Sequence, residues 1–371
     1  MKKITVRIPE NKSLSYPILM GSNLIKNIAT YATKNSNHSS IVIITDKTVK
    51  KTYGNSILNS LKLIGIKSFL FAFPAGEQSK NAETKQLLEE KMLQAGCDRN
   101  TLLIALGGGV VGDLVGFIAA TYMRGISYIQ IPTTLLAMVD SSVGGKTAIN
   151  TPYGKNLIGV FWQPKAVIAD VTFLKTLPNK HVVNGLVESI KMFLTSDLTS
   201  FKYLKKHLDK LMDTNEIILK NVIHRSIHIK SNIVNQDEKE ISGQRLVLNF
   251  GHTIGHALER LTHYKMLHGF AVAYGLLVEA KISELIGILD HTSYLAIKSI
   301  LNQLHFFGSA LKQFDIHQLI KATQLDKKAK SKQVHYIILK SLGEVYVYND
   351  QFSHPVSDQI VKKAFLEIIE E

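Results

Sequence analysis

Two histidines four residues apart, His252 and His256, lie in the stretch Leu248-Asn-Phe-Gly-His-Thr-Ile-Gly-His-Ala-Leu-Glu259. Ala257, Leu258 and Leu261 follow at helical spacing, so both imidazoles would stand on one helix edge, one turn apart, able to serve a metal or a phosphate. Gly251 and Gly255 have no side chain to pack. A glycine costs a helix interior about 1 kcal/mol relative to alanine, so close approach by a ligand or another helix is the reason to look for. An isolated H-x-x-x-H is more often a core helix with two satisfied histidines, and the rest of the chain must tip the balance.

A second candidate is Gly107-Gly-Gly-Val-Val-Gly-Asp113, directly after the apolar run Thr101-Leu-Leu-Ile-Ala-Leu106. Consecutive glycines between a strand and a helix let backbone N–H groups approach a pyrophosphate at a sheet's carboxyl edge. The pattern is not G-x-G-x-x-G, and alone it reads equally as a structural turn. Its neighbours add weight: Asp46, Glu77 and Lys80 follow two other strands, and Thr133 and Thr134 a third, as a bound nucleotide requires. Asp140-Ser-Ser-Val-Gly-Gly-Lys-Thr147 and Gly154-Lys-Asn156 form a glycine- and lysine-rich connection. Gly144-Gly-Lys-Thr147 is similar to the end of a Walker loop but lacks the first glycine at the right offset, which argues against an ATPase.

The elements that must position these residues change character along the chain. Residues 41–45, 67–73, 101–106, 127–131 and 166–169 are short apolar strands, with Asp46 capping a helix that runs through 58–63 and another helix at 79–95. Residues 1–9 alternate like a strand and do not form a signal peptide. Strands alternating with helices predict a parallel sheet covered on both faces. From about Pro178 the period becomes 3.6, with helices expected at 182–194, 200–234, 252–261, 269–288 and 295–304 and one hairpin pairing 334–339 with 344–348. The expected fold is α/β: a Rossmann-like parallel-sheet domain over 1–177, then a mostly α-helical domain over 178–371, with a cleft between them.

Lysine and arginine outnumber acids 44 to 30, a formal +14, which would attract nucleic acid or an acidic metabolite. The lysine clusters at 202–206 and 327–332 are short and hold one aromatic, Tyr203, between them, so the metabolite is favoured and no nucleic-acid partner is expected. The single Cys97 excludes an intrachain disulfide framework and suits a reducing cytoplasm. Residues 102–123 are apolar enough to suggest a membrane span, but Asp113 and five glycines argue against it.

Taken together, Pro74-Ala-Gly-Glu-Gln-Ser-Lys80, the glycine turn, Met123-Arg-Gly125, Pro132-Thr-Thr-Leu-Leu136, Val139-Asp-Ser-Ser-Val-Gly-Gly-Lys-Thr147, Gly154-Lys-Asn156, Leu174-Lys-Thr-Leu-Pro178 and the two-histidine stretch resemble the 3-dehydroquinate synthase family of the shikimate pathway. They span nearly the whole chain in the family's order. The resemblance implies a homodimeric lyase that uses NAD and one divalent metal, zinc with cobalt as the alternative. It would convert the sugar-acid phosphate 3-deoxy-D-arabino-heptulosonate 7-phosphate into 3-dehydroquinate and phosphate. The implied steps are transient oxidation, phosphate elimination, reduction, ring opening and aldol closure.

Carried over by position, the resemblance implies that Glu188, His252 and His268 hold the metal. His256 then becomes a phosphate contact, with Asn249, Arg124, Lys146, Asn156 and Lys327. Lys191 lies in the cleft, and Lys230 and Arg245 receive the substrate carboxylate. NAD is implied to meet Asp46; Ala75, Gly76, Glu77, Gln78, Ser79 and Lys80; and Gly108, Gly109, Val110, Val111, Gly112 and Asp113. It is also implied to meet Thr133, Thr134, Asp140, Lys146 and Lys155, and Phe173, Leu174, Lys175 and Thr176. Between Glu240 and Arg245 this chain has one residue more than the family, which leaves Arg245's placement open. Met192-Phe193 and Phe270 make the cleft wall more apolar than usual. His263 is a rival ligand to His268, which is preferred because Gly269 and Ala271 follow it in the family's pattern. The alternatives are a related cyclase or metal-dependent polyol dehydrogenase of the same fold, which would not need Lys230 and Arg245, or a non-enzymatic binding protein for nucleotide or nucleic acid that keeps only the glycine turn.

Overall fold

The computed structural model describes residues 15–33, 38–304, 314–324 and 333–370. The strand expected at 1–9 and the candidate Lys327 lie outside them. The strands of the first half are β1 (Ile18–Gly21), β2 (Ile41–Asp46), β3 (Ser68–Phe73), β4 (Leu102–Gly107), β5 (Tyr128–Pro132), β6 (Lys146–Thr151), β7 (Gly154–Phe161) and β8 (Ala166–Asp170). Among the described residues six of them form one sheet in the order β1-β8-β5-β4-β2-β3, with every pair parallel. β2, β4 and β8 are apolar without alternation because helices cover both faces.

α1 (Ile25–Thr33), the short α2 (Lys47–Val49) and α3 (Asn55–Leu63) precede α4 (Ala82–Gln94) and α5 (Gly109–Thr121). β2 leads outward to the edge strand β3, whereas its neighbour β4 leads the other way to β5. The strand order therefore reverses between β2 and β4, and their carboxyl ends, carrying Asp46 and the glycine turn, border the crevice where such sheets bind ligands.

The helical half contains α6 (Asn179–Ser196), α7 (Leu198–Lys206), α8 (Leu208–Met212), α9 (Glu216–Gln236), α10 (His252–Leu261), α11 (His268–Leu285), α12 (His291–Gln303), α13 (Ile316–Gln324) and α14 (Asp358–Glu370). One apolar core runs from Ile41, Ile43 and Ile104 of the sheet into Leu186 and Ile190 of α6 and Leu276 of α11. Sheet and helices thus close on each other without an intervening linker. No helix among the described residues is long and apolar enough to cross a membrane.

Three expectations need correction. The single helix expected over 200–234 is broken, because Thr214 takes a left-handed φ of 56° and the Asn215 side chain accepts the Ile218 N–H at 3.2 Å to start α9 afresh. The glycine- and lysine-rich connection folds into an antiparallel ribbon of β6 and β7. The ribbon lies against α5 at Gly116, where a Cβ would meet Thr147 Cγ2 at 2.4 Å. The expected late hairpin is split: β10 (Leu339–Ser341) pairs with β11 (Glu344–Val345), while β9 (His335–Tyr336) pairs with β12 (His354–Pro355). Buried Ile337 and Ile338 sit at the break.

Candidate metal centre and cleft

Three helices meet at Glu188 of α6, His252 opening α10 and His268 opening α11. Gly251, at φ 79°, turns the chain into α10 and donates its N–H to Glu279 Oε2 at 2.7 Å. Gly269 donates to Asn184 Oδ1 at 2.7 Å, which holds the start of α11 beside α6. α10 and α11 approach closely: a Cβ on Gly275 would stand 1.8 Å from the Gly251 carbonyl, and one on Gly255 would stand 3.1 Å from Val272 Cα. The glycines around His252 therefore admit a helix, one of the two reasons the sequence offered.

His268 Nε2 lies 3.5 Å and His252 Nε2 3.9 Å from Glu188 Oε1, and potential ligand atoms of the three residues lie within 4.8 Å of one another. Glu188 Oε1 is buried without a hydrogen bond. The histidines' other nitrogens are committed: His252 Nδ1 meets the Phe250 carbonyl at 3.2 Å and His268 Nδ1 meets Glu259 Oε2 at 3.3 Å. A carbonyl can only accept, so Nδ1 of His252 carries the proton and Nε2 is left as a donor to a cation. Two imidazoles and one carboxylate suit zinc and leave coordination positions open. Burial pulls the His268 pKa down, yet Glu259 and Glu188 overcome it and raise it to about 10. Burial pushes Glu188 up, and Lys191 and His268 bring it to about 2. Metal binding at such ligands is linked to proton release.

His256, Glu259 and His268 could also hold an ion. In that group Glu259 is already engaged on both oxygens, by Lys155 Nζ at 2.8 Å and by His268, so the Glu188 group is the better fit. His263 is exposed in the turn after α10, at φ 50°, and belongs to neither group.

The cations stand beside this centre. Lys191 is buried against Glu188 Oε2. Lys230 donates to Asp140 Oδ1 at 2.7 Å; burial lowers its pKa, with Asp140 opposing the shift. Arg245, 2% exposed, donates to the Glu238 carbonyl at 2.5 Å and approaches the Gly144 carbonyl at 3.4 Å, while Lys146 pairs with Glu240 at 2.5 Å. The segment before Arg245 turns through Gly243, at φ 84°. Asn249 is half-buried in the 3-10 turn Gln244–Asn249 that leads to α10.

Two expected substrate contacts fall elsewhere, and a third has no described position. Asn156 accepts from Lys80 Nζ at 2.5 Å and so stands with the nucleotide turn. Lys327 lies outside the described residues. Arg124 is exposed beyond the far end of α5, before β5 begins, whereas the metal ligands gather beyond the other end of β5. The five residues of that strand separate the two ends by about 16 Å, more than an arginine reaches.

At the glycine turn, α5 begins with no side-chain cap and no acid in its first turn, leaving its N–H groups and helix dipole available to an anion. A Cβ on Gly108 would meet Thr134 Cγ2 at 3.1 Å, and one on Gly109 would meet Ser141 Oγ at 3.0 Å. Thr133 donates its N–H to the Gly107 carbonyl at 3.0 Å. Lys80 is buried against Asp113, and Glu77 Oε1 accepts from Asn150 at 2.8 Å. Gly76 turns at φ 114° between exposed Ala75 and Gln78, next to buried Ser79. Val110 is half-buried.

Other expected nucleotide contacts have structural duties. Asp46 caps α2 through the N–H groups of Thr48 and Val49. Val111 packs under Gly107, and Gly112 leaves room for Gln130. Phe173 and Leu174 are buried in the core, Lys175 pairs with Glu216 at 3.5 Å, and the Thr176 hydroxyl meets Tyr53 at 2.6 Å. Of these four, only Lys175 and Thr176 are exposed. Sequence reasoning missed Glu259 and Asn184. Glu259 could have been noticed, since it lies seven residues after His252 on the same helix face, whereas Asn184 had no local signal.

Residues 70–184 match the family described as 3-dehydroquinate synthase N-terminal, and residues 185–329 match its C-terminal counterpart. A 3-dehydroquinate synthase of Thermodesulfovibrio yellowstonii is 41% identical over 348 residues, covering 94% of this chain and 96% of that one. Among solved structures, a 2-deoxy-scyllo-inosose synthase complexed with carbaglucose-6-phosphate, NAD⁺ and Co²⁺ superposes with a TM-score of 0.85 at 26% identity, covering 94% of this chain and 96% of the other. The 2-epi-5-epi-valiolone synthase of Streptomyces hygroscopicus subsp. jinggangensis, with NAD⁺ and Zn²⁺ bound, superposes with a TM-score of 0.88 at 25% identity, covering 98% and 99%.

Proposed function

The chain belongs to the 3-dehydroquinate synthase family, and from that premise we propose how its cleft converts 3-deoxy-D-arabino-heptulosonate 7-phosphate into 3-dehydroquinate and phosphate. The observation that carries the assignment of roles is the convergence of three ligand atoms with three buried cations, Lys191, Lys230 and Arg245. When bound, NAD⁺ supplies a reversible hydride acceptor, and a divalent cation, zinc by its donor set with cobalt as the alternative, supplies a Lewis acid.

Glu188, His252 and His268 hold the cation. The N–H groups after Gly108 take the pyrophosphate, and the boundary at 177/178 divides this nucleotide side from the cation side. Lys230 and Arg245 receive the substrate carboxylate, exchanging contacts now made to Asp140 and to backbone carbonyls. Lys146, Asn249 and His256 face the phosphate, and Lys191 offsets the charge of Glu188. These fixed cations favour the negative charge that develops as phosphate departs, and their burial strengthens the effect. Arg124 can serve only the cleft of a second copy, so a homodimer is part of this reading. A cytoplasmic location, expected from the lone, free Cys97, goes with it.

The hydride taken up in the first step returns later, so a trace of NAD⁺ with a divalent metal should support many turnovers, releasing phosphate without net NADH. A polyol dehydrogenase would build up NADH one for one with product, and a binding protein would release no phosphate. A neutral sugar phosphate lacking the carboxylate, tested in parallel, should be the poorer substrate; preference for it would withdraw the roles of Lys230 and Arg245.

A further inference from the structure

We infer that Glu259 is the positioning residue of the metal centre, a buried carboxylate that orients the His268 imidazole and is itself held by Lys155. This rests on the reading of Glu188, His252 and His268 as the cation's ligands. Glu259 is 2% exposed and lies on α10, one turn from His256. Its Oε2 meets His268 Nδ1 at 3.3 Å and its Oε1 meets Lys155 Nζ at 2.8 Å.

The two histidine ligands are therefore oriented differently. His252 gives its Nδ1 proton to the backbone carbonyl of Phe250, in the turn that leads into α10. His268 gives its proton to an ionised side chain, which makes the imidazole a stronger donor at Nε2. A carboxylate in this position could rotate away from the ring. Lys155, lying 4.6 Å above the Tyr264 ring, fixes its second oxygen. Lys155 stands on β7 beside Asn156, which accepts from Lys80, which in turn pairs with Asp113 in α5. The orientation of one metal ligand is thus tied, through the ribbon, to the element that carries the glycine turn.

Glu259→Gln tests the arrangement, because Lys155 and His268 meet different oxygens of the carboxylate and an amide would turn an NH₂ donor to one of them. Co²⁺ affinity, measured on the full chain without NAD⁺ by competition with a chelator, should fall about 10- to 100-fold. The visible d–d spectrum of bound Co²⁺ should shift, and Glu259→Asp should recover part of the affinity. Co²⁺ binding and spectrum unchanged in Glu259→Gln would overturn the inference. Glu188→Gln is the control. If it keeps Co²⁺ while Glu259→Gln loses it, Glu259 is a ligand, and the metal centre, not merely its orientation, has been misread. Should Glu259→Gln fail to fold, Lys155→Met probes the same contact from its more exposed end. It should weaken Co²⁺ binding and shift the spectrum in the same direction, and wild-type values there would equally reject the inference.

Discussion

The Asp237 carboxylate accepts the backbone N–H of Arg245 at 3.2 Å. Its other oxygen accepts the N–H groups of Ile241 at 2.7 Å and Ser242 at 3.2 Å. One side chain thus ties down the loop from Ile241 to Arg245. Replacing it with alanine should free Arg245 and raise the KM for the heptulosonate phosphate about tenfold or more, the scale of losing hydrogen bonds to a charged group. Metal content should stay unchanged. Burial raises the Asp237 pKa, but the N–H groups of Arg245, Ser242 and Ile241 outweigh it and hold the carboxyl below its ordinary value. A depressed folded pKa makes the tie fully present above the unfolded value of about 3.9 and lost as pH falls through the folded one. The Asp237→Ala effect on KM should therefore be constant from about pH 5 upward, and a variant KM equal to wild type would detach the loop from Arg245.

Metal content separates the ligands from their rival. Glu188→Ala and His268→Ala should each lower bound metal sharply, whereas exposed His263→Ala should leave it nearly unchanged. Elemental analysis of purified protein decides the matter, and a site emptied by His263→Ala alone would reverse the assignment.

Arg124 is separated by a strand's length from the ligands of its own chain, so in the proposed homodimer mixtures of variants should reveal that it acts on the partner's cleft. Arg124→Lys should already impair turnover, since lysine cannot reproduce a bidentate grip on phosphate. Arg124→Ala and Glu188→Ala, each inactive alone, should regain about a quarter of wild-type activity when co-refolded, because half the dimers are mixed and each of these has one intact cleft. Failure to regain activity would leave Arg124 without a role in trans.

Gly275→Ala inserts a methyl where the Gly251 carbonyl stands at 1.8 Å from the ideal Cβ position. Overpacking of this kind typically costs about 1–3 kcal/mol, and here it would also push His252 away from Glu188. Thermal melting should show the loss, and metal affinity should fall with it; a melting curve identical to wild type would contradict the close approach of α10 and α11.

Much of this arrangement was legible in residues 41–135 and 248–261. Continuous apolar runs bounded by glycine and proline leave little room except a buried parallel sheet, and α10 has the bounds that the periodicity assigned. What stayed hidden depended on contacts between distant segments. Nothing local marks Asn184 as the acceptor for Gly269. The β6–β7 ribbon escaped because lysine and glycine disguise its alternation. Thr214, a residue that ordinarily avoids left-handed backbone, interrupts a helix whose apolar spacing runs on through it. Phe173 and Leu174 sit where a nucleotide contact was expected, but their side chains serve the core, a distinction a motif cannot express.

The β6–β7 ribbon carries Lys146 at its base, paired with Phe161, and Lys155 and Asn156 just past its tip. On the proposed assignment of roles it would act as a ruler between the substrate end of the cleft and the metal end. Because successive side chains in a strand face opposite ways, adding one residue between Asn156 and Phe161 would turn Lys155 away from Glu259 and put Asn156 in its place, while adding two would restore the facing but lengthen the ruler by about 7 Å. Length changes in this segment should therefore be far less tolerated than substitutions. A deletion scan of the ribbon should show activity falling abruptly at the first residue removed.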